Sequence, residues 1–152
     1  MKNIIIILLL LIIGFMAYKF TKGSVAPSTD GRTNVVLNKN ERDLVLEEMR
    51  QFLISVQGIS VAITNKDLKT VEKLGYEAGM IAEANTPGAL FQKLPLGMKK
   101  LGFDTRGLFD DISAAAKAGK EPLELRKQLD ALMNNCIACH ATYRLPEPVA
   151  KQ

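Results

Sequence analysis

The two cysteines and the only histidine of this 152-residue chain lie within five positions of one another, as Cys136, Cys139 and His140. Apolar residues recur at intervals of three and four up to and through this segment, so we expect it to be helical. Positions i, i+3 and i+4 lie on one face of an α-helix. The two thiols and the imidazole then point at one planar object, which the rest of the fold has to accommodate.

The pattern Cys-x-x-Cys-His is the attachment signature of a c-type haem. Two thiols add across the vinyl groups of the haem, and the adjacent imidazole becomes an axial iron ligand. A thioredoxin-like site needs a βαβ context, a structural zinc site usually needs four Cys or His ligands, and a simple disulfide leaves His140 without a role. We therefore expect one covalent haem c, with its iron, on this chain.

The N-terminal segment fits the export that haem c chemistry requires. Lys2 supplies a short positive region, and residues 4–17 form an apolar block without a charge. The one plausible cleavage pattern, Ser24-Val25-Ala26, is followed by Pro27, which we expect to disfavour cleavage. We predict a signal peptide or signal anchor over 1–20 and a periplasmic domain, either soluble or anchored to the inner membrane.

The formal net charge of +4 is carried largely by the leader, because the first 22 residues hold three lysines and no acid. The remainder has 17 basic and 16 acidic residues. This near-neutral balance gives no indication of nucleic-acid binding. The basic group Lys93, Lys99, Lys100 and Arg106 is expected to be a solvated face, with docking of an acidic redox partner as the alternative.

After the leader, the composition indicates one domain. We expect a flexible linker over 21–37, a helical domain over 38–145 and a C-terminal tail over 146–152. Apolar periodicity predicts four helices, the first starting at 40 and the others over about 66–84, 103–118 and 121–144. A further short helical stretch is expected over 89–94. The short connections favour an all-α, antiparallel up-down-up-down four-helix bundle, whose core is a usual place for a cofactor.

The C-terminal pattern Cys136-x-x-Cys139-His140-x-x-Tyr143-Arg144, on the last of four predicted helices behind an export leader, resembles the cytochrome c′ family. This family comprises class II c-type cytochromes and includes low-spin relatives in which methionine is a ligand. The resemblance covers about 38–144 and is most specific over 136–144. It implies that the two cysteines carry the haem and that His140 is the proximal ligand.

The resemblance also implies roles for residues outside the motif. Arg144 would flank the proximal face of the haem. The distal residue would lie on the first helix, a few positions after an arginine, as Leu46 follows Arg42 here. Arg42 and Arg144 would balance the haem propionates. A homodimer formed through the first two helices is a further expectation from the resemblance.

The sixth iron position distinguishes two functions. A second histidine ligand is excluded because His140 is the only histidine, and Met133 precedes the motif on the same helix. Outside the leader this leaves Met49, Met80 and Met98. We prefer Met49 because it lies on the apolar stripe of the helix that supplies the distal side in this family, although methionine is also a common core residue.

We expect a periplasmic electron carrier whose iron is held by His140 and Met49, which exchanges electrons with redox partner proteins and is not an enzyme. The alternative is a five-coordinate cytochrome c′ that binds or buffers small gases such as nitric oxide, with Leu46 over the distal face. A peroxidase-like enzyme is disfavoured because no distal His or acid is expected, and Asp43 and Glu48 are predicted to be solvated.

Overall fold

The computed structural model describes residues 2–148, and this part of the chain is mostly helical, with six α-helices and one small sheet. The helices are α1 Lys2–Lys22, α2 Lys39–Thr64, α3 Leu68–Ala78, α4 Gly88–Lys93, α5 Leu96–Lys117 and α6 Pro122–Thr142. The strands are β1 Val25–Pro27, β2 Thr33–Val35 and β3 Tyr143–Arg144, and a 3-10 helix covers Met80–Asn85. Met1 and the last four residues of the expected C-terminal tail lie outside the described residues.

Local capping sets the starts of the long helices. α2 begins after Asn38, whose side chain accepts a hydrogen bond from the Glu41 amide while the Glu41 carboxylate accepts one from the Asn38 amide. This capping box places the cap two residues before the expected position at Asn40. α5 begins directly after Pro95 and not near 103, because a packed helix tolerates Gly97 and Gly102 at a cost of about 1 kcal/mol each.

The main core lies where α2, α3, α5 and α6 meet. Helix α2 contacts α3 and α6, and α5 contacts the same two helices. Several side chains in this core are fully buried, among them Ile59, Phe109, Ile112, Leu125, Leu129 and Leu132. The second half of α2 thus packs with the first half of α6. A smaller core forms around Val35, Leu37, Val45 and Leu90.

Helix α3 is much shorter than its neighbours. It has 11 residues, whereas α2, α5 and α6 have 26, 22 and 21. At ~1.5 Å per residue it is about half as long as α6. The expected second helix over 66–84 is therefore wrong beyond Ala78. The chain turns at Gly79, where the Asp110 carboxylate occupies the space beside the glycine and accepts a hydrogen bond from the Met80 amide at 3.1 Å.

The small sheet corrects two expectations, the all-α fold and the flexible linker over 21–37. Strand β1 pairs antiparallel with β2, and β2 pairs in parallel with β3, so that Thr33 lies opposite Tyr143. Val35 in this segment is fully buried. Strands of two or three residues are too short to show alternation in the sequence, and they are stabilised here by the second core cluster rather than by their own propensity.

One close helix contact gives a test of the fold. A Cβ atom on Gly75 of α3 would lie 2.8 Å from the Phe109 carbonyl oxygen of α5, whereas one on Gly107 of α5 has no neighbour within 4 Å. We expect Gly75→Ala to lower the free energy of unfolding by about 1–3 kcal/mol through overpacking. Gly107→Ala should raise it by up to about 1 kcal/mol through helix propensity. Urea unfolding followed by circular dichroism checks both, and similar effects of the two changes would contradict the close contact.

Candidate functional site

A cavity of about 590 Å³ opens where α3 ends, between α2, α4, α5 and α6. Its volume lies within the range of roughly 300–1,000 Å³ usual for small-molecule and cofactor sites. Most of its wall is apolar, with Val45, Phe52, Leu90, Phe91, Leu94 and Leu101 among the lining residues. The first half of α2 and the second half of α6 both line it, so these helices run antiparallel.

The cysteines and the histidine of the sequence motif share this cavity. Cys136, Cys139 and His140 all lie on α6 and all line the wall, as expected for positions i, i+3 and i+4 of one helix. Both cysteines are free. Burial raises the pKa of each thiol, and the neighbouring Cys136 raises that of Cys139 further. Raised thiol pKa values are the opposite of what a thioredoxin-like redox pair requires.

The proposed distal residues line the same cavity from another helix. Leu46 and Met49, three residues apart on α2, both line the cavity, and Met98 on α5 does so as well. Met133 lines it from α6, one turn before the motif. Met80 is 41% exposed on the 3-10 helix and is not a lining residue, so only two of the three candidate methionines have access to the cavity.

Neither arginine suggested by the family resemblance lines the cavity. Arg42 forms an ion pair with Glu147 at 2.7 Å and donates a hydrogen bond to the Leu145 carbonyl. Arg144 lies in β3 and is 3.2 Å from the Asp30 carboxylate. Both side chains therefore attach the C-terminal segment to its neighbours in this structure.

Other arginines line the cavity, and one of them is buried. Arg106 on α5 is 4% exposed, and its Nε donates to Glu83 at 2.9 Å while Nη2 pairs with Glu48. It also donates to the Ala78 carbonyl at 3.1 Å, and its guanidinium lies 4.9 Å from the centre of the Phe52 ring. The expectation that Glu48 is solvated is wrong, because its carboxylate turns towards this buried cation and lines the cavity.

The prediction that Lys93, Lys99, Lys100 and Arg106 form a solvated face is also mostly wrong. Lys99 is 4% exposed, and Lys93 pairs with Glu41 at 2.6 Å, which leaves Lys100 as the exposed member. The sequence spacing indicates that Lys99 and Arg106 are buried. They lie seven residues apart, and Arg106 lies one turn before the buried Phe109. Residues at that spacing share one face of a helix, and here that face is buried.

The sheet fixes the end of the motif helix. Strand β3 starts at Tyr143, directly after α6, and its pairing with β2 holds the chain three residues beyond His140. Arg32 in the connection between β1 and β2 donates to the His140 carbonyl at 3.4 Å and pairs with Asp30 at 2.6 Å. Hydrogen bonds from Arg32 and Ser28 hold the pKa of Asp30 well below its usual range.

Within residues 2–148, no three or more His, Cys, Asp and Glu side chains are grouped so that they could hold a metal ion by themselves. Comparisons with protein-family models, curated proteins and solved structures found no match. The resemblance to cytochrome c′ therefore stays a prediction.

The buried charge cluster gives a second test. Removal of the Arg106 guanidinium leaves Glu48 and Glu83 without their cation, and these carboxylates are 34% and 25% exposed, so the cost is below the ~3–5 kcal/mol of a fully buried pair. We expect Arg106→Met to lower the free energy of unfolding by about 1–3 kcal/mol at pH 7. The matched control is Arg126→Met, an exposed arginine paired with Asp130, with an expected effect of at most about 1 kcal/mol.

This cost should depend on pH in a definite direction. Burial raises the pKa of Glu83 above its ordinary value of 4.5, although a hydrogen bond with Thr86 opposes the shift. Stability linked to a raised carboxyl pKa is fully present below the unfolded value and is lost as the pH rises through the folded one. Protonation of Glu83 removes the negative charge that Arg106 balances. The cost of Arg106→Met should therefore be smaller at pH 4 than at pH 7. Equal costs at both pH values, or equal costs for both arginines, would contradict the cluster.

Proposed function

We propose that this chain is a c-type cytochrome of the cytochrome c′ type that carries one covalent haem and transfers electrons. The observation that supports this most directly is the convergence of Cys136, Cys139 and His140 on one apolar cavity, with Met49 on a second helix of the same cavity. The proposal includes the finer fold: α2, α3, α5 and α6 correspond to the four helices of the family's antiparallel bundle.

The residues present fit a haem by their chemistry. Cys136 and Cys139 would supply the two thiols for thioether bonds, His140 nitrogen and Met49 sulfur would be available to the iron, and the apolar side chains would contact the ring. Its volume of about 590 Å³ lies in the range of small-molecule and cofactor sites. The short helix α3 leaves the space that a longer helix would fill.

When bound, a haem c supplies a one-electron iron couple. Met49 sulfur would favour the reduced iron and raise the reduction potential, because a thioether ligand stabilises the ferrous state. The apolar side chains of α2, α4 and α5 that line the cavity would cover the ring and limit its contact with water. Arg106 and Lys99, rather than Arg42 or Arg144, are the buried cations at the cavity that would balance negative charge, although Arg106 also pairs with Glu48 and Glu83.

The N-terminal helix α1 supports export of the domain across a membrane. α1 is apolar enough to cross a membrane by length and composition, with a mean hydropathy of 2.5, and the same properties are shared by signal sequences. We propose that the domain works on the periplasmic side of the inner membrane. Its partners there are redox proteins, and no catalytic group is assigned to the cavity because Glu48 and Glu83 are both engaged by Arg106.

The gas-binding alternative also has an observation in its favour. Leu46 lines the same cavity one turn before Met49, so it is placed to cover a distal face if Met49 is not a ligand. An apolar side chain there would exclude water and admit small gases, as the resemblance to five-coordinate members implies. The two functions differ in which of these two side chains of α2 meets the iron.

Optical spectra of the exported protein separate the two functions. For the electron carrier we expect a low-spin spectrum with a methionine-to-iron charge-transfer band, unchanged by carbon monoxide. Met49→Ala should abolish that band and allow carbon monoxide to bind. Met80→Ala, which removes an exposed methionine outside the cavity, should leave the spectrum unchanged.

A high-spin spectrum that shifts with carbon monoxide and does not change in Met49→Ala would instead support gas binding over Leu46. Loss of the charge-transfer band in Met98→Ala, with Met49→Ala silent, would assign the sixth ligand to α5. Either result contradicts ligation by Met49.

A further inference from the structure

The last turn of α1 packs against α4 and α5. The Phe20 ring lies 6.0 Å from Phe91, which in turn lies 5.8 Å from Phe103. Lys99, which is 4% exposed, donates a hydrogen bond to the Phe20 carbonyl at 2.7 Å, and its ammonium lies 3.6 Å from the Phe20 ring. Phe91, Lys99 and Phe103 all line the cavity, so α1 ends at the cavity wall.

The chain after α1 is held as closely. The Ser24 amide donates to the Lys93 carbonyl at 2.7 Å, and Val25 begins strand β1. Gly23 has a φ of +66°, and a Cβ atom there would lie 2.5 Å from the Lys93 carbonyl oxygen and 2.7 Å from the Pro95 nitrogen. This junction depends on glycine for both its backbone conformation and its close approach.

A cut at the only plausible cleavage pattern would break this junction. Cleavage after Ala26 would divide β1 and remove Phe20, which supplies both the hydrogen-bond acceptor and the aromatic face for Lys99. The Lys99 ammonium would then lose its hydrogen-bond acceptor and the closer of its two aromatic rings, and only the Phe91 ring at 4.9 Å would remain beside it. These lost contacts favour the chain that keeps α1.

An exposed apolar face on α5 continues from the end of α1. Leu96, Lys100 and Phe103 are exposed and lie at i, i+4 and i+7, on one face of the first turns of α5. Phe20, which is 44% exposed, lies beside this face, and Lys19 and Lys22 end α1. Exposed apolar and aromatic side chains with lysines between them are typical of a helix surface at the membrane interface.

We propose that α1 is retained as a membrane anchor docked on the domain, and that it holds the face formed by Leu96, Lys100 and Phe103 against the phospholipid surface. With 21 residues and ~1.5 Å per residue, α1 matches a hydrocarbon core of about 30 Å. Its last turn then lies at the bilayer surface, and with it the cavity wall at Phe91 and Lys99. The occupant of this face is the lipid headgroup region, and the inference holds whether or not the cavity carries a haem.

Lipid photocrosslinking tests the face. The full chain, with p-benzoylphenylalanine at Leu96, is reconstituted in vesicles of phosphatidylethanolamine and phosphatidylglycerol. Leu96 is 40% exposed and outside the cavity, and the control position is Tyr76, 54% exposed on α3. Irradiation should give a lipid adduct at 96 and none at 76, and the intact mass should include α1. A chain that starts at Pro27, equal adducts at both positions, or an adduct to protein instead of lipid at 96 would each overturn the proposal.

A matched glycine pair tests the docking. Gly23→Ala should abolish the lipid adduct at 96, because the added methyl group displaces α1 from α4 and α5. Gly31→Ala introduces an alanine at a similarly left-handed φ of +83°, but nothing lies within 4 Å, so the adduct should persist. Lys99→Met, compared with Lys117→Met at an exposed lysine near the far end of α5, repeats the comparison without backbone strain, with loss of the adduct expected only for Lys99→Met. An adduct that survives both Gly23→Ala and Lys99→Met would refute the docked anchor.

Discussion

The buried stripe of α6 is the constraint on which the candidate site depends. Leu125, Leu129 and Leu132 are fully buried in the main core, and this packing fixes the rotation of the whole helix. Cys136 and Cys139 continue the same stripe one and two turns further along. Any rotation that exposed the cysteines to solvent would also expose the three leucines, and each buried leucine contributes roughly 1.5–3 kcal/mol.

Length then decides what the stripe meets. The leucines of the α6 stripe pack in the main core together with side chains of α3. The cysteines further along α6 face a cavity, because α3 ends at Ala78. The shorter helix α4 and the 3-10 helix close the side of this cavity without filling it. The first half of α6 therefore packs in the main core and its second half lines the cavity, and the change between them follows from the turn at Gly79.

The cavity combines apolar walls with a compact group of buried charges. Arg106 is neutralised by Glu48 and Glu83 and by backbone carbonyls, which offsets much of the cost of taking a cation out of water. Lys99 has no carboxylate partner in the described residues and is stabilised by the Phe20 carbonyl and ring at the end of α1 and by the Phe91 ring of α4. These two cations link the cavity to the 3-10 helix on one side and to the N-terminal helix on the other.

Periodicity in the sequence predicted most helices because their apolar residues recur at helical spacing over many turns. It predicted that Cys136, Cys139 and His140 share a face for the same reason. It failed where the deciding contact joins distant residues: Asp110 beside Gly79 shortens α3, and β2 pairs with β3 across more than a hundred positions. The prediction that Arg106 is solvated was also wrong, because it was based on the charge of the residue alone. The spacing of Arg106 from Phe109 places it on the buried face of α5.

The central claim is that the cavity on α6 carries a covalent haem. The most direct measurement is the intact mass, under denaturing conditions, of the full chain exported from cells that attach haem to c-type cytochromes. The expected mass exceeds that of the chain by one haem, and the excess disappears in the double variant Cys136→Ala, Cys139→Ala. A mass equal to that of the unmodified chain in the wild-type protein would contradict the claim.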